Sequence, residues 1–251
     1  VTLKTYRRAV LAGLAASPAL IRHAAAEDAP DPWPALRPQI FGDRAVQDGG
    51  AVVAIDAPYR AADAAIVPIT MRILPRPGDA RVRALTLVID ANPSPLAARF
   101  AIGPHAATDS IATNVRVDSY TFLHLVAELE DGSLRGVQRY VKAAGGCSAP
   151  ALKNEAGGVP LGTMRLRIFP QQAADGLAQA QLMIRHPNFS GMQMDQLTRL
   201  YIPAHFVQTV RIAQGDTLLF SVDSGISIAE NPQYRFDYRP DGKPFHAAVT
   251  D

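Results

Sequence analysis

The chain's single cysteine is the residue with the widest chemical reach. Cys147 follows Gly145-Gly146 and precedes Ser148-Ala149-Pro150, in a run of small residues with a permissive backbone. An unpaired thiol in such a stretch suits covalent attachment chemistry. At the ordinary thiol pKa of about 8.5, only about 3% is thiolate at pH 7. Lys142 and Lys153 are flexible, and nothing else in the local sequence favours the anion. The pattern fits a thiol that is carried to a partner enzyme and activated there better than an autonomous nucleophile. An incidental linker cysteine, or one that links two chains into a dimer, are the other readings of the same residues.

The histidines do not assemble a site by spacing. His186 precedes Pro187, and His205 lies in Tyr201-Ile202-Pro203-Ala204-His205-Phe206. Either could complete a Cys–His pair with Cys147; a structural, hydrogen-bonded imidazole is the simpler reading. His124 falls on the outward face of a strand and reads as solvated. There is no HExxH, no regular metal-ligand spacing, no GxSxG, no GxGxxG and no P-loop. One cysteine excludes an intramolecular disulfide and a cysteine-based zinc site. The sequence therefore implies no cofactor and no metal. Arg165 and Arg167 read as a solvent face.

The elements that must position these residues follow a period of two. Val82–Ile89 is almost wholly apolar or β-branched, as in a buried strand, and Ile66–Ile73 reads similarly. In 120–131, Leu123, Leu125, Ala127 and Leu129 share one face while His124, Glu128 and Glu130 share the other, the pattern of a half-buried strand. Asp131-Gly132 is a hairpin signal, with Leu134–Val141 returning antiparallel. Residues 143–162 break the alternation with glycines, prolines and small side chains and read as a linker. Beyond it, strands are expected over 164–169, 177–185, 206–212, 217–222 and at Tyr234, Phe236 and Tyr238, with Gln214-Gly215-Asp216 as a turn. Pro30, Pro32, Pro34 and Pro38 make 28–40 an extended lead-in, with Trp33 as its anchor. Met192–Leu200 reads as at most a short turn of helix. About seven short strands in each half predict an all-β chain of two immunoglobulin-like β-sandwich domains joined by a flexible linker.

The first 26 residues stand apart. Lys4, Arg7 and Arg8 precede an uncharged stretch from Ala9 to Ile21, and Ala24-Ala25-Ala26 offers a small-residue cleavage site. This is the three-part form of a secretory signal peptide, too short in its apolar part to span a bilayer. Arg7-Arg8 followed by Ala9-Val10-Leu11 resembles a twin-arginine export signal; an ordinary secretory signal with two adjacent arginines is the other reading. A mature start near Glu27 and a periplasmic location are expected. Whole-chain net charge is +2, but without residues 1–26 the chain holds 21 basic and 23 acidic residues. That balance gives no case for nucleic acid, and no later apolar run suggests a membrane span.

Several motifs together resemble a known family. Asp90-Ala91-Asn92-Pro93-Ser94-Pro95-Leu96-Ala97-Ala98-Arg99-Phe100 with Gly103-Pro104 is similar to SoxY, one subunit of the periplasmic sulfur-compound carrier of the Sox system. Ile111–Val117 and the Glu130-Asp131-Gly132 turn fit that likeness, and Gly145-Gly146-Cys147 matches the start of its GGCGG carrier motif. The second half resembles the partner subunit SoxZ at His186-Pro187, Ile202-Pro203-Ala204-His205-Phe206 and Asn231-Pro232. The resemblance implies a fused SoxY–SoxZ carrier: a leader over 1–26, a SoxY-like sandwich over 27–146, a Cys-bearing linker over 147–162 and a SoxZ-like sandwich over 163–251. It implies that Cys147 is the covalent attachment point, with Gly145 and Gly146 as its hinge. It also implies partner enzymes of thiosulfate or sulfur oxidation, and an association of such fused forms with quinoprotein dehydrogenases. Two departures stand out: Ser148-Ala149 replaces two glycines, and the cysteine is tethered on both sides. A coil of about 15 residues, such as 148–162, spans roughly 21 Å root-mean-square, so the thiol would sweep less space than on a free end.

Three readings follow. The first is a non-catalytic sulfur carrier acting through Cys147. The second is a β-sandwich docking module for a periplasmic quinoprotein dehydrogenase or its cytochrome, with Cys147 incidental. The third is a cysteine-dependent enzyme, in which His186 or His205 lowers the thiol pKa.

Overall fold

The computed structural model describes residues 31–74, 80–150, 159–169 and 176–251. The leader over 1–26, with Arg7-Arg8, and residues 151–158 of the expected linker lie outside the described residues. One short helix, α1 (Trp33–Phe41), precedes β1 (Val46–Asp48), β2 (Val53–Asp56), β3 (Val67–Ile73), β4 (Val82–Ile89), β5 (Leu96–Ile102), β6 (Ser110–Val115), β7 (Thr121–Leu129) and β8 (Leu134–Val141). The second half contributes β9 (Met164–Phe169), β10 (Ala178–Ile184), β11 (Thr209–Gln214), β12 (Thr217–Ser224), β13 (Gln233–Tyr238) and β14 (Phe245–Thr250). The all-β expectation holds. No helix among the described residues is long and apolar enough to cross a membrane.

The strands form two facing sheets, and each sheet runs through both halves of the sequence. One has the order β1-β8-β7-β4-β5-β12-β11-β14, the other β2-β3-β6-β13-β10-β9. The halves join edge to edge: β5 pairs antiparallel with β12 from Ile102↔Phe220 to Ala98↔Ser224, and β6 meets β13 at Ala112↔Arg235 and Ile111↔Phe236. Each sandwich thus covers an open edge of the other, which removes two rows of unpaired backbone groups from solvent. The core is continuous across the join. Phe100 of β5 packs edge-on to Tyr234 of β13 at 6.3 Å, and Tyr234 also meets Phe220 at 6.5 Å. These rings and the aliphatic strand faces around them form one buried cluster drawn from both sheets.

The Asp131-Gly132 hairpin forms as expected, with Gly132 at φ +83° and the Asp131 carboxylate accepting the Ser133 N–H at 2.8 Å. Two local expectations do not hold. The described part of the proline-rich lead-in is helical from Trp33, because Pro32 and Pro34 occupy the helix start, where a missing N–H costs nothing. That helix changes β7 as well. Trp33 stacks flat on His124 at 3.8 Å, and Phe41, Val126 and Leu134 form a small cluster on the outer face of the sheet. The face read as solvated is therefore covered: His124 is buried and its Nε2 lies 3.0 Å from Asp90 Oδ2.

Candidate functional site

β8 ends at Val141, and the chain then turns sharply so that Gly145 is exposed while Gly146 and Cys147 are buried. Cys147 has no exposed surface. The turn is held by backbone bonds: the Gly145 N–H donates to the Asp118 carbonyl at 2.8 Å and the Gly146 N–H to the Val117 carbonyl at 3.0 Å. Gly145 has φ +80°, a conformation that favours glycine. Gly146 is required for a different reason. A side chain there would overlap the carbonyl oxygens of Ala64 and Val117. The hinge expected at both glycines therefore differs in this conformation: Gly145 makes the bend, and Gly146 lets the chain press against its neighbour.

The second half closes the site. The Ser190 hydroxyl donates to the Cys147 carbonyl at 2.6 Å, and the Ser190 N–H donates to Gln193 Oε1 at 2.9 Å. Below lies the join of the two halves, organised by two polar residues of the first. Asn92 Nδ2 donates to the Arg116 carbonyl at 2.8 Å and to Ser227 Oγ at 2.9 Å, while Asn92 Oδ1 accepts the Asp118 N–H at 2.9 Å. Arg116 is 2% exposed and donates through Nη1 to the Ile228 carbonyl at 2.7 Å; its backbone N–H donates to the Ser227 carbonyl at 2.7 Å. Burial pulls the Arg116 guanidinium below its ordinary range, while the charges of Glu230 and Cys147 act in the opposite sense.

The thiol is accordingly unreactive in this state. Burial first, and the Asp118 carboxylate second, push its pKa up to about 11 against the opposing effect of Arg116. At pH 7 that leaves about 0.01% thiolate, some 300-fold less than an ordinary thiol. The expectation of an exposed thiol on a mobile stretch is corrected here. Its sequence neighbours are small, yet Cys147 itself is fully buried, with the charges of Asp118 and Arg116 acting on the thiol and Ser190 bonded to its carbonyl. A Cys147-linked dimer would require the thiol to leave this pocket.

The histidines are not partners of the thiol. His186 Nε2 and His205 Nε2 lie 3.2 and 2.9 Å from Asp251 Oδ2. The two rings meet edge to face at 4.7 Å. His186 is buried, and its Nδ1 lies 2.8 Å from Asn188 Oδ1 and 3.0 Å from the Asn188 backbone nitrogen. Hydrogen bonds from His205 and His186 hold the Asp251 carboxyl below the usual carboxylate range. With both imidazoles committed here and the thiol pKa raised, the Cys–His enzyme reading loses its two requirements. Arg165 and Arg167 are exposed on the edge strand β9, as expected.

Sequence reasoning missed Asn92, Arg116, Asp118 and Ser190. The available signal was Arg116, a lone charge between Val115 and Val117, which marks either a strand's polar face or a buried partner.

Comparison with known families gives two matches in one chain. Residues 37–147 match the family model described as sulfur oxidation protein SoxY, and residues 166–251 match that described as sulphur oxidation protein SoxZ. The first match ends on Cys147. No curated protein matches the chain. Among solved structures, a superoxide reductase (neelaredoxin) from Ignicoccus hospitalis is similar at 16% identity, with a TM-score of 0.33 over 36% of this chain and 78% of that one.

Proposed function

This chain carries a SoxY-family domain and a SoxZ-family domain fused in one polypeptide, and on that premise we propose that it holds a sulfur compound covalently on Cys147 and presents it to separate sulfur-oxidation enzymes. The observation that carries the reading is the coincidence of the SoxY match, which ends at residue 147, with the chain's single cysteine. The chemistry supports a carrier in place of a catalyst. Joining the thiol to the terminal sulfur of thiosulfate forms an S–S bond and releases one proton and two electrons. The attaching enzyme must therefore supply the electron acceptor, and later enzymes must hydrolyse the adduct.

Burial adds a requirement. A thiol at about 11 inside a closed pocket must open before it reacts, and the partner supplies or captures that open state. Gly145 is the natural pivot, since its φ of +80° tolerates other backbone states that an L-residue would resist. The closed state then shields the thiol from adventitious oxidation in an oxidising compartment. We place the carrier in the periplasm on the strength of its leader, and N-terminal sequencing should find a start near Glu27.

Intact mass spectrometry of the natively purified protein, before and after reduction, tests the carrier reading. A reducible sulfane or sulfonate adduct mapping to Cys147, and absent from Cys147→Ser, is expected. A bare thiol under sulfur-oxidising growth would overturn it.

The same burial supports a second reading, in which Cys147 is structural and the chain docks on a periplasmic quinoprotein dehydrogenase or its cytochrome. Co-purification with such a partner that survives Cys147→Ser would favour that reading.

A further inference from the structure

We infer that His186, His205 and Asp251 form a binding site for a divalent first-row transition metal, with zinc as its simplest occupant. Each residue offers one donor atom, and the three donors lie within 4.8 Å of one another. A zinc ion bonded at about 2.0–2.2 Å to two imidazole nitrogens and a carboxylate oxygen needs donors roughly 3–3.5 Å apart. Of the two nitrogen–oxygen separations, 3.2 Å is in that range and 2.9 Å is just short of it. The remaining nitrogen–nitrogen gap closes by rotation of His205, whose side chain is 47% exposed and free to adjust.

The outer shell of the site fixes the His186 ring. A histidine that ligates through Nε2 must carry its proton on Nδ1, and metal-binding imidazoles commonly donate that proton to a fixed oxygen. His186 has such an acceptor, since Asn188 Oδ1 is 2.8 Å from Nδ1. Nδ1 also accepts the Asn188 backbone N–H at 3.0 Å, which leaves the ring proton on Nε2 facing Asp251, so ligation through Nε2 must displace that proton. Asn188 Oδ1 is itself fixed, because it also accepts the Val207 N–H at 3.1 Å, while Asn188 Nδ2 donates to the Ile228 carbonyl at 3.3 Å. Asn188 is fully buried at φ +47°, a conformation that asparagine tolerates better than most residues. The His186 ring is therefore fixed in place from behind, while His205 and Asp251 form the half-exposed rim.

Donor chemistry narrows the ion. Two imidazoles with one carboxylate suit zinc, copper, nickel or iron and disfavour magnesium and calcium, which prefer oxygen. Three protein donors leave at least one position open toward the rim, where water or an anion can bind. The thiol is not among the donors.

The test is titration of untagged, chelator-stripped full-length protein with zinc against a competing dye, alongside the visible spectrum of the cobalt(II) form. One saturable zinc site is expected, unaffected by a large excess of magnesium and retained in Cys147→Ser. His205→Ala and Asp251→Asn should each weaken it by at least about tenfold. Both side chains lie at the exposed rim, so unchanged apo melting temperatures are expected and would separate lost binding from lost folding. The cobalt form should lack a sulfur-to-metal charge-transfer band. Absence of saturable binding, equal affinity in the rim variants, or loss of binding in Cys147→Ser would each overturn the site. None of these outcomes bears on the carrier reading, which is read from the adduct on Cys147.

Discussion

At Glu128 three arginines converge on one carboxylate; at Arg116 one guanidinium reaches across to the backbone of the other half. Glu128 of β7 receives Arg44 and Arg83 on Oε1 at 2.5 and 2.7 Å and Arg99 on Oε2 at 3.1 Å. The three guanidinium side chains remain 42 to 51% exposed. This clamp ties α1's exit to three adjacent strands of the first half and leaves an excess of positive charge at the surface. The Arg116 join is buried, and its guanidinium donates to the carbonyls of Ile226, Ile228 and Pro187. The clamp is Coulombic and open to salt, whereas the join is directional and shielded. The first holds one half to itself, and the second makes two family domains one body with the thiol at their boundary.

Arg116→Met should separate the two regions most sharply. It keeps the aliphatic stem but leaves the carbonyls and Glu230 without the guanidinium, a loss of about 3–5 kcal/mol for a buried charged group. Urea unfolding should show the drop, and it should persist at high salt. A change below about 1 kcal/mol would mean the join is held by packing alone.

The thiol sharpens the contrast through pH. Its folded pKa, about 11, stands above the unfolded value, so the folded state favours the protonated form. That stabilisation is complete below about pH 8.5 and is lost as pH rises toward the folded value. The stability difference between wild type and Cys147→Ser, measured under reducing conditions, should shrink by about 2 kcal/mol from pH 7 to pH 10. A constant difference would mean the thiol is solvated.

The clamp should respond at the opposite end of the scale. Burial works to raise the Glu128 pKa, but hydrogen bonds from Arg83, Arg44 and Arg99 outweigh it and bring it to about 2. Its contribution is therefore present above the unfolded carboxyl value and is lost as pH falls through about 2. Glu128→Gln should cost about 1–2 kcal/mol at neutral pH, the shift being discounted for the half-exposed guanidiniums. Near 0.5 M salt the gap should narrow, because a Debye length of about 4–5 Å screens the rim. An equal gap at both salts would assign Glu128 to packing.

Several strand positions were legible from the pattern of residue types: 164–169 and 217–222 fall within β9 and β12, whereas β1, β2, β5, β6 and β14 were not read as strands. The strands' neighbours in the sheets were not legible. The β5–β12 and β6–β13 pairings span more than a hundred residues, and period-two patterning does not specify which edge meets which. The outer face of β7 was misread for a related reason. His124 and Glu128 look solvent-facing in a strand pattern, and only the distant Trp33 and the three arginines cover them. Of the prolines that suggested an extended lead-in, Pro32 and Pro34 sit at the helix start, where a helix tolerates them, and Pro38 lies inside the helix. Cys147 was found by type and misjudged in exposure, because flexibility was inferred from Gly145-Gly146, whereas in the fold Gly146 is pressed against Ala64 and Val117, and Ser190 ties down the Cys147 carbonyl. The motifs around Asn92 and Arg116 carried the family resemblance, yet their task of pinning the two halves together appears only when Ser227 and Ile228 are brought beside them.

The smallest expected effect bears most directly on how the thiol escapes. Ser190→Ala removes the 2.6 Å hydrogen bond to the Cys147 carbonyl and costs about 1 kcal/mol at a buried site where alanine fits. Two routes to exposure then give different results. If the 145–148 turn opens on its own, the missing bond acts wholly on that local equilibrium, and thiol labelling should accelerate about fivefold. Glu128→Gln, which lies in the other region, should leave that rate unchanged despite its larger effect on global stability. If the thiol emerges only when the join of the halves dissolves, labelling should instead follow global stability across Ser190→Ala, Glu128→Gln and Arg116→Met alike. Local opening is the expected result: the turn is tied to its surroundings by the hydrogen bonds of Gly145, Gly146 and Cys147. The join engages two strand pairings and a buried guanidinium. A carrier needs the first to yield while the second holds.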